Sequence, residues 1–294
     1  MFKNLSTEKL GISGTQSELV ELTLSYGFKG MDLRLEEFAR RVADKGLDYA
    51  RRPFDSARLK FGSFVLPVSL GSEEDLYAAQ LRELPTAVEI AAQINCMRTV
   101  TMIEPASDLR PFQENFELHR KRIVEVAEVL QPHDVQLGLE FTTNAGLREG
   151  LAFEFIHTPD ALQQLVSMIG DTMVGVSVDL WEFHAAGVAD DWQSIGVEKI
   201  VKITLSDAPE DKSPGSLIAE DRLLPTAGGT IDSAAALVTL AEMGYDGPVS
   251  PVADRSRFES KLRDGMAREL GEAMDTVWKA AGLTASGWLS AAAN

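Results

Sequence analysis

Short runs rich in Val, Ile, Leu and Phe alternate with amphipathic segments along the whole chain. The runs cover 9–12, 30–34, 60–68, 98–103, 135–141, 174–180, 200–205 and 248–252. Each has the length and composition of a strand buried on both faces. Between them, Leu81, Leu84, Val88 and Ala91 recur at helical spacing, as do Phe116, Ile123, Ala127 and Leu130. Pro85 predicts that the first of these helices starts late or kinks. Thr158 followed by Pro159 marks a helix start, and Gly170 its end. Asp232 and Gly244 bracket another helix, and Gly27 ends the first. Eight strand–helix units in 294 residues give a rhythm of about 37 residues per unit, which predicts an α/β fold: a single-domain (β/α)8 TIM barrel. An open sheet binding a dinucleotide would need G-x-G-x-x-G after its first strand; Gly11-Ile12-Ser13-Gly14-Thr15 lacks that spacing.

Composition narrows the function classes. Hydrophobic content of 45% and charged content of 25% fit a folded globular chain. Lys and Arg number 28 against 45 acidic residues, a net charge of −17, so nucleic acid and anionic membranes are not expected partners, though a local basic pocket remains open. The single cysteine, Cys96, excludes an intrachain disulfide and a cysteine-based zinc site, and is expected to be buried. Residues 1–9 lack the apolar core of a signal peptide and no run is long enough to span a membrane, so a cytoplasmic location is expected. The barrel is expected over 1–282, with 283–294 a tail that frays or docks on a partner subunit. The longest loop, 207–230, follows the seventh strand and so lies on the catalytic face of a barrel.

Barrel chemistry sits at the C-terminal ends of strands. The polar residues there are Asp32, Arg34, Glu104, Glu140, Asp179, Glu182, His184, Thr204, Ser206, Asp207, Asp254, Arg255 and Arg257. Glu140 emerges from an apolar run and needs a cation or strong hydrogen bonds. It reads as a metal ligand or catalytic base, or as a carboxylate paired with Arg148 or another basic side chain. Asp179 reads as a ligand or a helix cap; together the two offer oxygen donors suited to Mg²⁺ or Mn²⁺. Trp181, Phe183 and Trp192 form an aromatic wall or belong to the core. His184 reads as a site or loop residue, and His119, His133 and His157 as surface or capping residues. Asp207 is divided between turn capping and substrate binding. Arg148 and Arg222 are candidates to hold a substrate oxygen. No nucleophile elbow, P-loop or H-E-x-x-H is present.

Several segments, in order and at barrel spacing, carry a resemblance. They are Gly27-Phe28-Lys29-Gly30-Met31-Asp32-Leu33-Arg34, Leu137-Gly138-Leu139-Glu140-Phe141 with Leu147-Arg148, and Val174-Gly175-Val176-Ser177-Val178-Asp179-Leu180-Trp181. Ser206-Asp207-Ala208-Pro209, Arg222-Leu223-Leu224-Pro225 and Gly244-Tyr245-Asp246-Gly247-Pro248-Val249-Ser250 continue the series. With these segments the chain resembles the xylose isomerase-like TIM barrel superfamily, in its sugar phosphate isomerase/epimerase branch. The resemblance implies an isomerase or epimerase acting through an enediolate on a small sugar or polyol, and a homo-oligomer. It implies one divalent cation (Mn, Mg or Zn) held by Glu, Asp, His and Glu at the ends of strands five to eight. Glu140 and Asp179 match the first two positions, but Thr204 and Val252 stand at the other two, and Glu182 replaces a further histidine. Glu140 and Glu182 are the acid/base candidates; Trp181, His184, Arg148, Arg222 and Asp207 are the substrate-binding candidates. Glu182, His184, Asp207 and Asp254 are the residues from which a different site would be built. A barrel that binds a sugar or a partner without turnover, or a metal-free epimerase or dehydratase, is the competing reading. Four histidines are too few for the histidine-rich three-metal site of the endonuclease branch.

Overall fold

The computed structural model describes residues 1–290. Its strands are β1 (Phe2–Leu5), β2 (Gly30–Met31), β3 (Lys60–Phe61), β4 (Phe64–Val65), β5 (Arg98–Met102), β6 (Ala106–Ser107), β7 (Gln136–Glu140), β8 (Phe153–Glu154), β9 (Val174–Asp179), β10 (Ile200–Leu205) and β11 (Pro248–Pro251). The α-helices are α1 (Gln16–Ser25), α2 (Leu35–Lys45), α3 (Leu47–Ala57), α4 (Glu74–Gln93), α5 (Phe112–Leu130), α6 (Pro159–Ile169), α7 (Leu180–Ala185), α8 (Ser233–Glu242) and α9 (Arg263–Ala280).

The main sheet is parallel and runs β3-β2-β1-β11-β10-β9-β7-β5-β4. Only Gly62 and Ser63 separate β3 from β4, so these two are halves of one stave and the sheet closes on itself. That leaves eight staves with helices between them, the single-domain (β/α)8 barrel that the rhythm predicts. The stave breaks for a local reason. The Ser63 backbone N–H and hydroxyl both donate to Asp32 at 3.1 Å, and a Cβ on Gly62 would overlap Asn4 and Asp32. The expected continuous strand over 60–68 is therefore two short pieces. The antiparallel pair β6–β8 lies outside the barrel sheet.

Three further expectations change. The first stave is β1, not 9–12; that segment is a turn, closed by Leu10 N–H to Ser6 O at 3.3 Å and Ile12 N–H to Thr7 O at 2.8 Å. Helix α4 passes through Pro85 without starting late, because Leu84, Val88 and Ala91 anchor both sides of the proline in the core. His119 is not at the surface but 2% exposed on the inner face of α5. Other local signals hold. Thr158 caps α6 with Pro159 at its first position and Gly170 in the left-handed region; Asp232 caps α8; Cys96 is buried.

The barrel lumen is polar, unlike the apolar strand sequences. Lys202, on β10, reaches across to Asp32, Ser6 and Ser63 near β1–β4, so its side chain fills the lumen. Asn4 and Ser250 extend this network, with Asn4 donating to Asp32 at 2.8 Å and to Ser250 at 2.9 Å. At the other end of the chain, Leu283 bridges to Leu289 and Ser290 donates to Gly282 O, folding the tail back against α9. Residues 291–294 of the expected tail lie outside the described residues. Among the described residues, no helix is long and apolar enough to cross a membrane.

Candidate active site

Two clusters of buried charge occupy the C-terminal mouth. Glu140 ends β7. Its carboxylate accepts from Lys9 Nζ at 2.9 Å and from the Ser177 hydroxyl of β9 at 2.8 Å. Burial pushes this carboxyl up, but the charges of Lys9 and Lys202 and the two hydrogen bonds outweigh it and hold Glu140 below the usual carboxylate range. Lys9 sits in the turn after β1, with about a third of its side chain exposed (33%). Burial opposes its charge, yet Glu140 and Asp179 together raise the ammonium above its ordinary value. The partner of Glu140 is thus Lys9 rather than Arg148, whose guanidinium lies 3.7 Å from Glu154 and 3.5 Å from Thr143 O.

The second cluster centres on Arg222. Its guanidinium donates to Asp179 Oδ2 at 2.6 Å and to Glu182 Oε1 at 3.1 Å, and lies over the Trp181 ring at 4.6 Å. Asp179 also caps α7 by accepting from Trp181 N–H at 3.1 Å. Glu182 follows in the first turn of α7, where it accepts from Thr143 N–H at 2.7 Å and from the Thr142 and Thr143 hydroxyls. Burial, aided by Asp179, pushes Glu182 above the usual carboxylate range despite Arg222 beside it. Two backbone contacts place Arg222. Its carbonyl accepts from Asp254 N–H at 2.9 Å, and neighbouring Leu223 exchanges both backbone hydrogen bonds with Asp207.

The remaining candidates take other positions. The Asp207 carboxylate accepts from the N–H groups of Ala208 and Ile231 at 2.8 Å each and from the Thr226 hydroxyl, so it staples the 207–230 loop. His184, at the end of α7, keeps Nε2 buried without a partner; burial lowers its pKa. Trp181, Phe183 and Trp192 are all core residues, although Trp181 turns one face to Arg222. Sequence reasoning missed Lys9 and Lys202. A lysine within Ile200-Val201-Lys202-Ile203 was the available signal, because a buried lysine requires an acidic partner.

The residues present do not fit the divalent ion that the resemblance implies. Among the described residues, no group of three or more His, Cys, Asp or Glu side chains could hold a metal ion. Thr204 stands in register with Asp179 and Ser250, and its hydroxyl is buried without a partner. Val252 offers no donor atom. Glu140 and Asp179 are each already paired with a fixed cation.

Beside the turn that carries Lys9, a groove of about 360 Å³ opens between Glu8, Leu33, Arg34, Glu36, Arg40 and Val65. Glu8 follows β1, Leu33 and Arg34 follow β2, and Val65 ends β4, so the groove lies on the catalytic face, though Glu140, Asp179, Glu182, Lys9 and Arg222 do not line it.

Residues 20–274 match the model of the xylose isomerase-like TIM barrel family. An inosose isomerase from Halalkalibacterium halodurans is 30% identical over 129 residues, covering 44% of this chain and 43% of the relative. The chain thus matches less than half the length of that curated relative. Among solved structures, a xylose isomerase domain protein from Alicyclobacillus acidocaldarius superposes with a TM-score of 0.83 at 22% identity, over 95% of this chain and 98% of that one. The IOLI protein with a binding zinc atom superposes with a TM-score of 0.75 at 19% identity, over 96% and 98%. A family match over most of the chain, a barrel closed by eight staves and carboxylates at the ends of β7 and β9 agree: this chain belongs to the xylose isomerase-like TIM barrel family.

Proposed function

We propose that the chain is an isomerase or epimerase of a sugar or a cyclic polyol ketone. The observation that carries this reading is the pair of buried carboxylates, Glu140 and Glu182, at the mouth of the barrel, each held by a cation. Their environments push them in opposite directions, Glu140 toward the ionised form and Glu182 toward the protonated one. Such a split favours Glu140 as the base, with Glu182 as its counterpart across the mouth. Glu140 removes the proton from the carbon next to the substrate carbonyl, and Glu182 supplies a proton on the Thr142–Thr143 side. The electron pair stays in the substrate as an enediolate, so no external oxidant or reductant is needed. The match to an inosose isomerase supports a ketone bearing adjacent hydroxyls as the substrate class.

The test is solvent exchange. The protein is incubated in D₂O with inososes, ketohexoses, aldohexoses and their phosphates, and deuterium at the carbon next to the carbonyl is followed by NMR. Exchange with formation of an isomer is expected for at least one compound, and Glu140→Gln slows it about a hundredfold or more. Binding of the same compounds without exchange in any would replace this reading with a sugar-binding barrel that has no turnover.

A further inference from the structure

We infer that Lys9 and Arg222 take the place of the divalent cation, so that this barrel works on its substrate without a metal. The inference rests on the reading of the pocket as one for a carbonyl sugar, and concerns how its charge is balanced.

The two side chains bring two positive charges to the mouth, the same charge as a divalent ion. They meet the carboxylates that would be its ligands: Lys9 holds Glu140 at 2.9 Å, and Arg222 holds Asp179 at 2.6 Å. Arg222 also holds Glu182, where the family pattern has a histidine. An ammonium or a guanidinium cannot donate a lone pair to a metal. A metal entering this mouth would have to part both cations from their carboxylates and leave them partly buried and unpaired. The two positions that would complete a ligand set, Thr204 and Val252, offer one neutral hydroxyl and no donor. The cations come from the turn after β1 and from the 207–230 loop, and the positions without a ligand lie on β10 and after β11.

The two cations have different roles. Arg222 is only 13% exposed in its side chain, saturated by two carboxylates and stacked on Trp181, so it is a positioning residue that fixes Asp179 and Glu182. Lys9 is the more accessible, and one acceptor holds it. Its remaining N–H bonds are free to reach the substrate carbonyl oxygen while Glu140, 2.9 Å away, removes the neighbouring proton. As the C–H bond breaks, its electron pair forms the C=C bond of the enediolate, and the charge arriving on oxygen is met by the Lys9 ammonium. For isomerisation Glu140 delivers that proton to the adjoining carbon while the hydroxyl proton passes between the two substrate oxygens; for epimerisation Glu182 supplies a proton from the other side and Glu140 keeps its own.

Two measurements on the full chain test this. In the first, chelator-stripped protein is titrated with Mn²⁺ by calorimetry and by electron paramagnetic resonance, beside Glu140→Gln and Asp179→Asn. No Mn²⁺ binding that depends on these carboxylates is expected up to millimolar metal. A one-to-one micromolar site lost in either variant overturns the inference, whether or not any substrate has been found. In the second, Lys9→Met is compared with Lys9→Arg in the D₂O exchange assay. Lys9→Met is expected to lower kcat about a hundredfold with little change in KM, Lys9→Arg to retain part of the rate, and added Mn²⁺ to restore neither. Restoration of Lys9→Met by Mn²⁺, or an unchanged kcat, overturns the assignment of Lys9. Absence of exchange in the wild type with every compound counts against the isomerase reading instead, and the Mn²⁺ titration still reads the charge replacement.

Discussion

His119 is sealed on the inner face of α5, its ring 4.9 Å from that of Phe155, with Nδ1 2.8 Å from Asn115 O. Burial lowers its pKa from an ordinary 6.5 to about 4. Between those values the unfolded chain binds a proton that the folded chain refuses, so acidification favours unfolding. As pH falls from 6.5 toward 4, this one group removes up to about 3 kcal/mol of stability. His119→Leu is expected to flatten the pH dependence in urea titrations over that window relative to wild type. Parallel slopes for the two proteins would refute it. The single-residue scale is also where the sequence was least legible. Lys9 reads as the first residue of an apolar run, 9–12; only the tertiary path of the Ser6–Ile12 turn aims its ammonium at Glu140. Conversely, Glu140 and Asp179 were legible, because a carboxylate at the end of an apolar run demands a partner wherever it lands.

At the scale of elements, the 207–230 loop shows how a long connection is made rigid enough to carry Arg222. Asp207 is its clamp, accepting from Ala208, Thr226 and Ile231 and pairing its backbone with Leu223. Gly229 lies against that clamp: a Cβ there would overlap both the Asp207 carboxylate and the Thr226 hydroxyl. Gly229→Ala is therefore expected to cost about 2 kcal/mol and to lower exchange activity by displacing Arg222. Thermal melts and the D₂O assay read the two effects, and unchanged values in both would show that the loop positions nothing. The loop's existence was readable from Pro209, Pro214, Pro225 and the glycines, and its face from its place after the seventh strand. Its clamp was not, since Asp207 has the same local sequence whether it caps a turn or faces a substrate. Helix α4 makes the complementary point: Pro85 argued locally for a break, and the packing of Leu84, Val88 and Ala91 overrode it.

Over the whole molecule, the alternation of strands and helices was enough to give the barrel, because eight apolar runs at regular spacing have few other ways to be buried. What fills the barrel was hidden, because strand sequences do not say which residues from opposite staves will meet. Lys202 and Asp32 meet there from β10 and the end of β2, 1% and 12% exposed in their side chains. Asp32 also accepts from Asn4, Ser6 and Ser63, and these partners with Lys202 hold its carboxyl below the usual range against the opposing effect of burial. A folded-state pKa below the unfolded one contributes stability that is present at neutral pH and is lost as pH falls through the carboxylate range. Removing the ammonium alone leaves an ionised carboxylate in the lumen with only neutral donors. Lys202→Met is thus expected to lose about 3 kcal/mol at neutral pH, with a smaller loss in acid, where Asp32 takes up a proton. Adding Asp32→Asn removes the stranded charge while keeping a side chain of the same shape among the same neighbours. The double variant is expected to recover much of the loss at neutral pH in urea denaturation. If single and double variants are equally unstable, the loss comes from the contacts Lys202 made and not from a stranded charge. If the double variant recovers, the loss in the single variant was that of a stranded charge, and the pair is kept for another reason; Lys202 is one of the two cations that hold Glu140 below the usual carboxylate range, so the double variant is expected to raise the Glu140 pKa even where stability returns.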